Sequence, residues 1–181
     1  MNDSEGQILI PVEYWNGRNS LELEYPWIVP EAIQTLHYFT QPHHEVLEYG
    51  AGGSTLFFAR RAKHVTSIEN SSEWAAKVTA AAGQKGLNNI SMYVAPTTED
   101  CPDLTGRLFD IALIDCCEVD RRTALRVALG LLRPGSIVVI DNYDAVYCQG
   151  IEEILAGYPN KHNFDDLHWN LCGKGTKVVY T

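Results

Sequence analysis

The chain of 181 residues lacks an excess of positive charge, long apolar runs and a paired cysteine pattern, and each absence removes a class of function. Lys and Arg number 14 against 23 Asp and Glu, a net charge of −9. Nucleic acid and anionic membranes need clustered cations to offset phosphate, so the expectation is no nucleic-acid partner and no membrane partner. No apolar stretch approaches bilayer-spanning length; even 111-IALIDCC-117 carries an acid. Cysteines stand at 101, 116, 117, 148 and 172, an odd number without CxxC spacing. That pattern reads as reduced thiols in a cytoplasmic protein rather than a disulfide framework. The first residues, MNDSEG, are polar and acidic, unlike a secretory leader. There is no internal repeat.

What is present is an ordinary globular composition, 45% hydrophobic and 20% charged, in a length that suits one domain over 1–181. Residues 1–24 are polar, and their pattern does not establish an element. An opening helix is predicted over 25–40, with Pro30 suited to a first turn that needs no N–H partner. From 45 to 181 strand and helix signals alternate. Strand-like runs cover 45–49, 65–69, 90–94, 109–115 and 136–141, with weaker ones at 162–167 and 176–181. Helix-like stretches cover 54–63, 71–85, 120–132 and 149–157. Asn70 and Glu73 stand at capping-box spacing before the second, and Arg133-Pro134-Gly135 stops the third. Such alternation predicts an α/β fold with a mainly parallel sheet. The last two strands leave no room for a crossover helix, which requires an antiparallel pair.

The stretch 46-VLEYGAGGSTLFFARRAKHVTSIEN-70 carries the chemistry. Glu48, Glu69, Asp115 and Asp141 each end a predicted strand, where open parallel sheets bind ligands. Four carboxylates on one rim repel one another. Either they cap helices or they surround a ligand. For a nucleoside cofactor, Gly50 and Gly52 let the backbone come close and Glu69 can accept from ribose hydroxyls. A dinucleotide needs G-x-G-x-x-G, and Thr55 stands at the third position. Glu48 is also awkward beside a pyrophosphate but natural beside an ammonium or sulfonium.

The E-x-G-x-G-G-S/T turn, the acid ending the second strand, 109-FDIALID-115 and the run LLRPGSIVVIDN resemble class I S-adenosylmethionine-dependent methyltransferases over roughly residues 26–181. The resemblance implies a Rossmann-like, doubly wound, seven-stranded sheet of order 3-2-1-4-5-7-6, strand 7 antiparallel, with helices on both faces. It implies S-adenosylmethionine as cofactor. Glu48 would face the methionine amino group, and Gly50, Ala51 and Gly52 would form the turn beneath. Ser54 and Thr55 would lie near the carboxylate, Glu69 on the ribose and Asn70 beside the adenosine. The adenine loop would fall around Thr97 to Asp100, including Thr98. Asp115 would border the transfer site, with Asp115 or Asp141 as base.

Likeness to small bacterial methyltransferases points to Tyr25, Trp27, Asp115, Arg121, Asn142, Tyr143 and Tyr147 as an acceptor pocket. Tyr25 and Trp27 have the alternative of pinning the first helix, and Arg121 and Arg122 that of a solvated helix start. The catechol O-methyltransferase branch suggests Asp115, Asp141 and Asn142 as Mg²⁺ ligands. The lysine expected after the first of them is missing, Glu118 standing nearby, so no metal is expected. The expected activity is methyl transfer to an oxygen or nitrogen of a small-molecule acceptor. The alternatives are a non-catalytic cofactor- or partner-binding subunit and an NAD-dependent oxidoreductase.

Overall fold

The computed structural model describes residues 18–116, 120–165 and 175–181, the side chains of Thr98 and Tyr147 excepted. Seven strands form one sheet: β1 (Glu45–Tyr49), β2 (His64–Glu69), β3 (Ile90–Val94), β4 (Phe109–Ile114), β5 (Leu132–Asp141), β6 (Lys161–Asp165) and β7 (Gly175–Tyr180). Their order is β3-β2-β1-β4-β5-β7-β6, as expected. β1 to β5 run parallel, and β7 lies antiparallel between β5 and β6.

Alternation along the strands builds two cores. Val46, Val65, Ile111, Leu113, Ile137 and Val139 pack beneath α2 (Pro30–Phe39) and α3 (Gly53–Ala59). Leu47, Ala112, Ile114, Val138 and Ile140 pack beneath α5 (Arg121–Leu131) and α6 (Ile151–Ile154). With apolar partners on both faces, β4 and β5 need apolar residues at every position, which is why they read as unbroken runs. A short helix, α1 (Ser20–Leu23), precedes α2, and α4 (Ser72–Gln84) joins β2 to β3.

Several boundaries differ from the sequence pattern. The opening helix begins at Pro30, not 25, because the chain bends at residues 25, 27 and 28 outside any helix and Val29 donates its N–H to Thr176 Oγ1 at 3.2 Å. α3 begins at Gly53 and ends at Ala59 rather than 63. β5 starts at Leu132: the Pro134-Gly135 step stops α5 but stays in the sheet as an irregularity, with Gly135 at φ +84°. The cap of α4 is Ser71, whose hydroxyl accepts the Trp74 N–H, one residue later than the Asn70 capping box predicts. Within the polar N-terminal segment, Asn19 caps α1 by accepting the Glu22 N–H.

Candidate functional site

The C-terminal ends of β1, β2 and β4 border a cleft of about 360 Å³ lined by Gly50, Ala51, Glu69, Asn70, Ser71, Trp74, Asp115 and Cys116. A cleft of this size is within the range of small-molecule sites. The backbone turn that forms it depends on glycine at two points. Gly50 has φ +96°, and a Cβ there would stand 2.3 Å from the Asp115 carbonyl oxygen. A Cβ on Gly53 would stand 2.2 Å from the Ser20 carbonyl oxygen and 2.3 Å from that of Tyr25. These glycines make room for the chain's own backbone, whereas Gly52 is extended and meets only the Ser20 hydroxyl.

Each of the four acids resolves its charge differently. Glu48 is fully buried, and its Oε2 accepts from Thr55 Oγ1 at 2.6 Å and Ser67 Oγ at 2.7 Å. Its Oε1 accepts no hydrogen bond. Burial pushes the carboxyl up to about 7, against the pull of the Ser54, Thr55 and Ser67 hydroxyls and with a push from Asp115. Thr55 also receives the Gly52 N–H at 2.9 Å, so its hydroxyl is spent holding Glu48 and the turn rather than facing the cleft. Ser54 is buried beside it.

Glu69 is held by two main-chain donors, Ala51 N–H on Oε2 at 2.9 Å and Ser71 N–H on Oε1 at 2.8 Å. Trp74 Nε1 donates to the Ala51 carbonyl at 2.7 Å, closing this stitch from α4. Ser71 and Trp74 line the cleft without having been picked out by the sequence pattern. For Trp74 the missed signal was its place one turn into a helix that follows the second acid.

Asp115 and Asp141 are linked through Arg121, which is not a solvated helix start: it is 3% exposed. Its Nε donates to the Cys116 carbonyl at 2.7 Å and its Nη2 to Asp115 Oδ1 at 3.1 Å. Nη1 donates to the Asp141 carbonyl and, at 3.4 Å, to that of Ile114. Arg121 therefore fastens the ends of β4 and β5 together and supplies the positive charge between the acids. Asp115, with 29% of its side chain exposed, keeps a face on the cleft. Its pKa is raised by burial, pulled back by Arg121 and pushed again by Glu69. Asp141 is buried, and its Oδ1 accepts from Thr176 Oγ1 at 2.7 Å. Burial and the Asp115 charge raise its pKa, with Thr176 and Arg121 opposing. It does not line the cleft, which makes Asp115 the better placed of the two expected bases.

The expected acceptor residues do not converge. Tyr25 packs on Phe57, ring centroids 5.7 Å apart, as the pinning alternative requires. Trp27 is 46% exposed. Asn142 adopts φ +49° beyond β5. Tyr143 donates its hydroxyl to Asp165 at 2.7 Å and lines a separate recess with Asp144, Cys148 and Glu152. The side chains of Thr98 and Tyr147 lie outside the description, as do Cys117, Cys172 and Glu118. Asp115, Asp141 and Asn142 do not fit a divalent cation: one acid binds a guanidinium, the other a buried hydroxyl. Among the described residues no group of three or more His, Cys, Asp or Glu could hold a metal. Among them, too, no helix is long and apolar enough to cross a membrane.

A family described as a methyltransferase domain matches residues 47–143. Two curated relatives are both 23S rRNA (uracil(1939)-C(5))-methyltransferase RlmD. The one from Methylococcus capsulatus is 37% identical over 92 residues, covering 49% of this chain and 20% of the relative. The one from Photobacterium angustum is 38% identical over 132 residues, covering 71% of this chain and 59% of the relative. The chain thus spans only part of either relative. Among solved structures, the O-methyltransferase TomG from Streptomyces achromogenes, in complex with SAM, superposes with a TM-score of 0.65 at 19% identity, covering 91% of this chain and 90% of TomG. The curated relatives correct one expectation. Proteins related to this chain act on ribosomal RNA, so its net charge of −9 does not exclude a nucleic-acid partner. Net charge averages over a whole surface, whereas RNA is held by local groups.

Proposed function

Because the chain belongs to the S-adenosylmethionine-dependent methyltransferases, we propose that it transfers a methyl group from S-adenosylmethionine to an oxygen or nitrogen of its acceptor, using the cleft at the ends of β1, β2 and β4. The observation that carries this reading is Glu69 on the cleft wall with Glu48 buried behind it near the end of the neighbouring strand β1. Glu48 keeps a buried oxygen with no partner, which suits the methionine ammonium, directly or through a water. Glu69 is fixed by two amides and retains acceptor capacity for ribose hydroxyls. Asn70, next to Glu69 on the lining, suits the adenosine, and Gly50 and Ala51 form the floor.

The bound sulfonium supplies a methyl group already activated for in-line displacement. The chain's own work is to align the acceptor and keep water out. Asp115, at the rim and fixed by Arg121, is placed to take the acceptor's proton. The three described thiols, Cys101, Cys116 and Cys148, are free, which supports a reducing, cytoplasmic setting.

The acceptor has two readings. A small hydroxyl- or amine-bearing molecule suits the size of the cleft. An RNA acceptor is suggested by the two curated relatives, which are named for methylating C5 of a 23S rRNA uracil, a carbon rather than an oxygen or nitrogen, over a shared region of 20% and 59% of their lengths.

Calorimetry of the purified chain with S-adenosylhomocysteine, with NADH in parallel, tests the cofactor. Micromolar binding of the first and none of the second is expected, and Glu69→Ala should abolish it while circular dichroism stays unchanged. A Glu69→Ala variant that binds like the parent would refute the site. Labelled S-adenosylmethionine offered to ribosomal RNA and to a small-molecule extract then separates the two acceptors, and transfer to neither, with the cofactor bound, points to the non-catalytic alternative.

A further inference from the structure

The sheet has two edges, β3 and β6, and they are built differently. β6 reads Lys161-His162-Asn163-Phe164-Asp165, with a charge at each end, the usual guard against strand addition. β3 reads Ile90-Ser91-Met92-Tyr93-Val94, with no charge, no proline and no bulge in its pairing to β2. Tyr93 and Val94 are 37% and 44% exposed. The Asn89 carbonyl accepts from Val65 and the Ala95 N–H donates to Glu69, so odd-numbered residues turn their main-chain groups to β2. By alternation Ile90, Met92 and Val94 turn theirs away from the sheet. Beside this edge runs a recess of about 220 Å³ lined by Val78, Ala82, Leu87, Ile90 and Met92. Its shoulder on α4 carries the small residues Thr79 and Gly83.

We propose that β3 is the surface through which two copies of this chain pair, strand against antiparallel strand, about a twofold axis at Met92. The strand is its own complement in that register. Ile90 meets Val94 of the second copy and Met92 meets Met92, apolar against apolar on the face of the recess. On the other face Ser91 meets Tyr93, small against large. About six main-chain hydrogen bonds form, two at each of the three outward-facing pairs. No like charges meet, because the strand has none, and the nearest lysine, Lys85, is already paired with Glu24 Oε1 at 2.5 Å. The second copy's α4 comes alongside the first across Thr79 and Gly83 and closes the recess. A twofold contact uses the same patch on both copies and ends at two, whereas joining β3 to β6 would continue without limit.

Sedimentation velocity of the purified chain over a concentration series tests this. The parent is expected to sediment as a dimer at tens of micromolar. Met92→Lys puts two ammonium groups opposite one another and should raise the dissociation constant about fivefold. Val94→Lys, at a more exposed position, should do the same and serves if Met92→Lys fails to fold. His162→Lys on the other edge should leave the dimer intact. Thermal unfolding of each variant checks that the monomer fold persists. A parent that stays monomeric at every concentration, or a dimer that survives both β3 variants, overturns the proposal. So does dimer loss in His162→Lys alone. None of these readouts depends on the cofactor or the acceptor.

Discussion

Glu48→Gln is the most informative single substitution. The Glu48 carboxyl is fully buried, and burial moves it from an ordinary 4.5 to about 7. The folded chain therefore holds a proton at pH values where the unfolded chain has released it. The contribution of Glu48 to stability is largest below pH 4.5 and falls as pH rises toward 7, because folding then carries a charge into the interior. A shift of that size corresponds to about 3 kcal/mol across the window. Glutamine keeps the shape and an oxygen for the Thr55 and Ser67 hydroxyls but cannot ionise. Urea unfolding of ligand-free parent and variant at pH 5, 6, 7 and 8 should show the variant gaining on the parent by most of that amount between the ends. On the proposed cofactor placement, binding of an ammonium beside Oε1 draws Glu48 into its charged form. Near pH 6, S-adenosylhomocysteine should then displace close to one proton from the parent and none from the variant, read as the dependence of calorimetric heat on buffer ionisation. Stability profiles that run parallel within about 0.5 kcal/mol would refute the assignment of a buried, proton-holding Glu48.

Two further substitutions test the scaffold. Arg121→Met should destabilise the chain by about 3–5 kcal/mol, since it strands the Cys116 and Asp141 carbonyls and leaves Asp115 without its partner. A midpoint in urea within error of the parent's would show that Arg121 is not the fastener between β4 and β5. Gly53→Ala should lose cofactor affinity and stability together, because its Cβ would meet two backbone oxygens at 2.2 and 2.3 Å, while Gly130→Ala, in α5 with open space around it, should be neutral or slightly stabilising on the same thermal melt.

Much of the architecture was legible because strand burial leaves a plain trace. Ile111 to Ile114 and Ile137 to Ile140 are apolar at every position since both faces are covered, and that pattern places β4 and β5 at the centre. Glu48, Glu69 and Asp115 could be placed at strand ends for the same reason. The partners of those acids were not legible. Thr55 and Ser67 meet Glu48 from α3 and β2, and Thr176 meets Asp141 from a strand 35 residues away. Arg121 reads as a surface residue at a helix start because local patterns carry no record of a guanidinium turned inward beneath two strand ends. Two contacts of the expected acceptor residues were equally illegible: Tyr25 packs on Phe57 and Tyr143 donates to Asp165, partners far away in sequence.

The double amide grip on Glu69 has a kinetic side. The loop after β1 and the start of α4 are joined through one carboxylate, with the Trp74 indole holding the carbonyl of the same residue, Ala51. On the proposed cofactor placement, the wall that would face the ribose is therefore assembled when the chain folds, and an arriving nucleoside has little loop to organise. Association should run near the rate set by diffusion and orientation, and differences in affinity among cofactor analogues should be written almost wholly in how fast they leave.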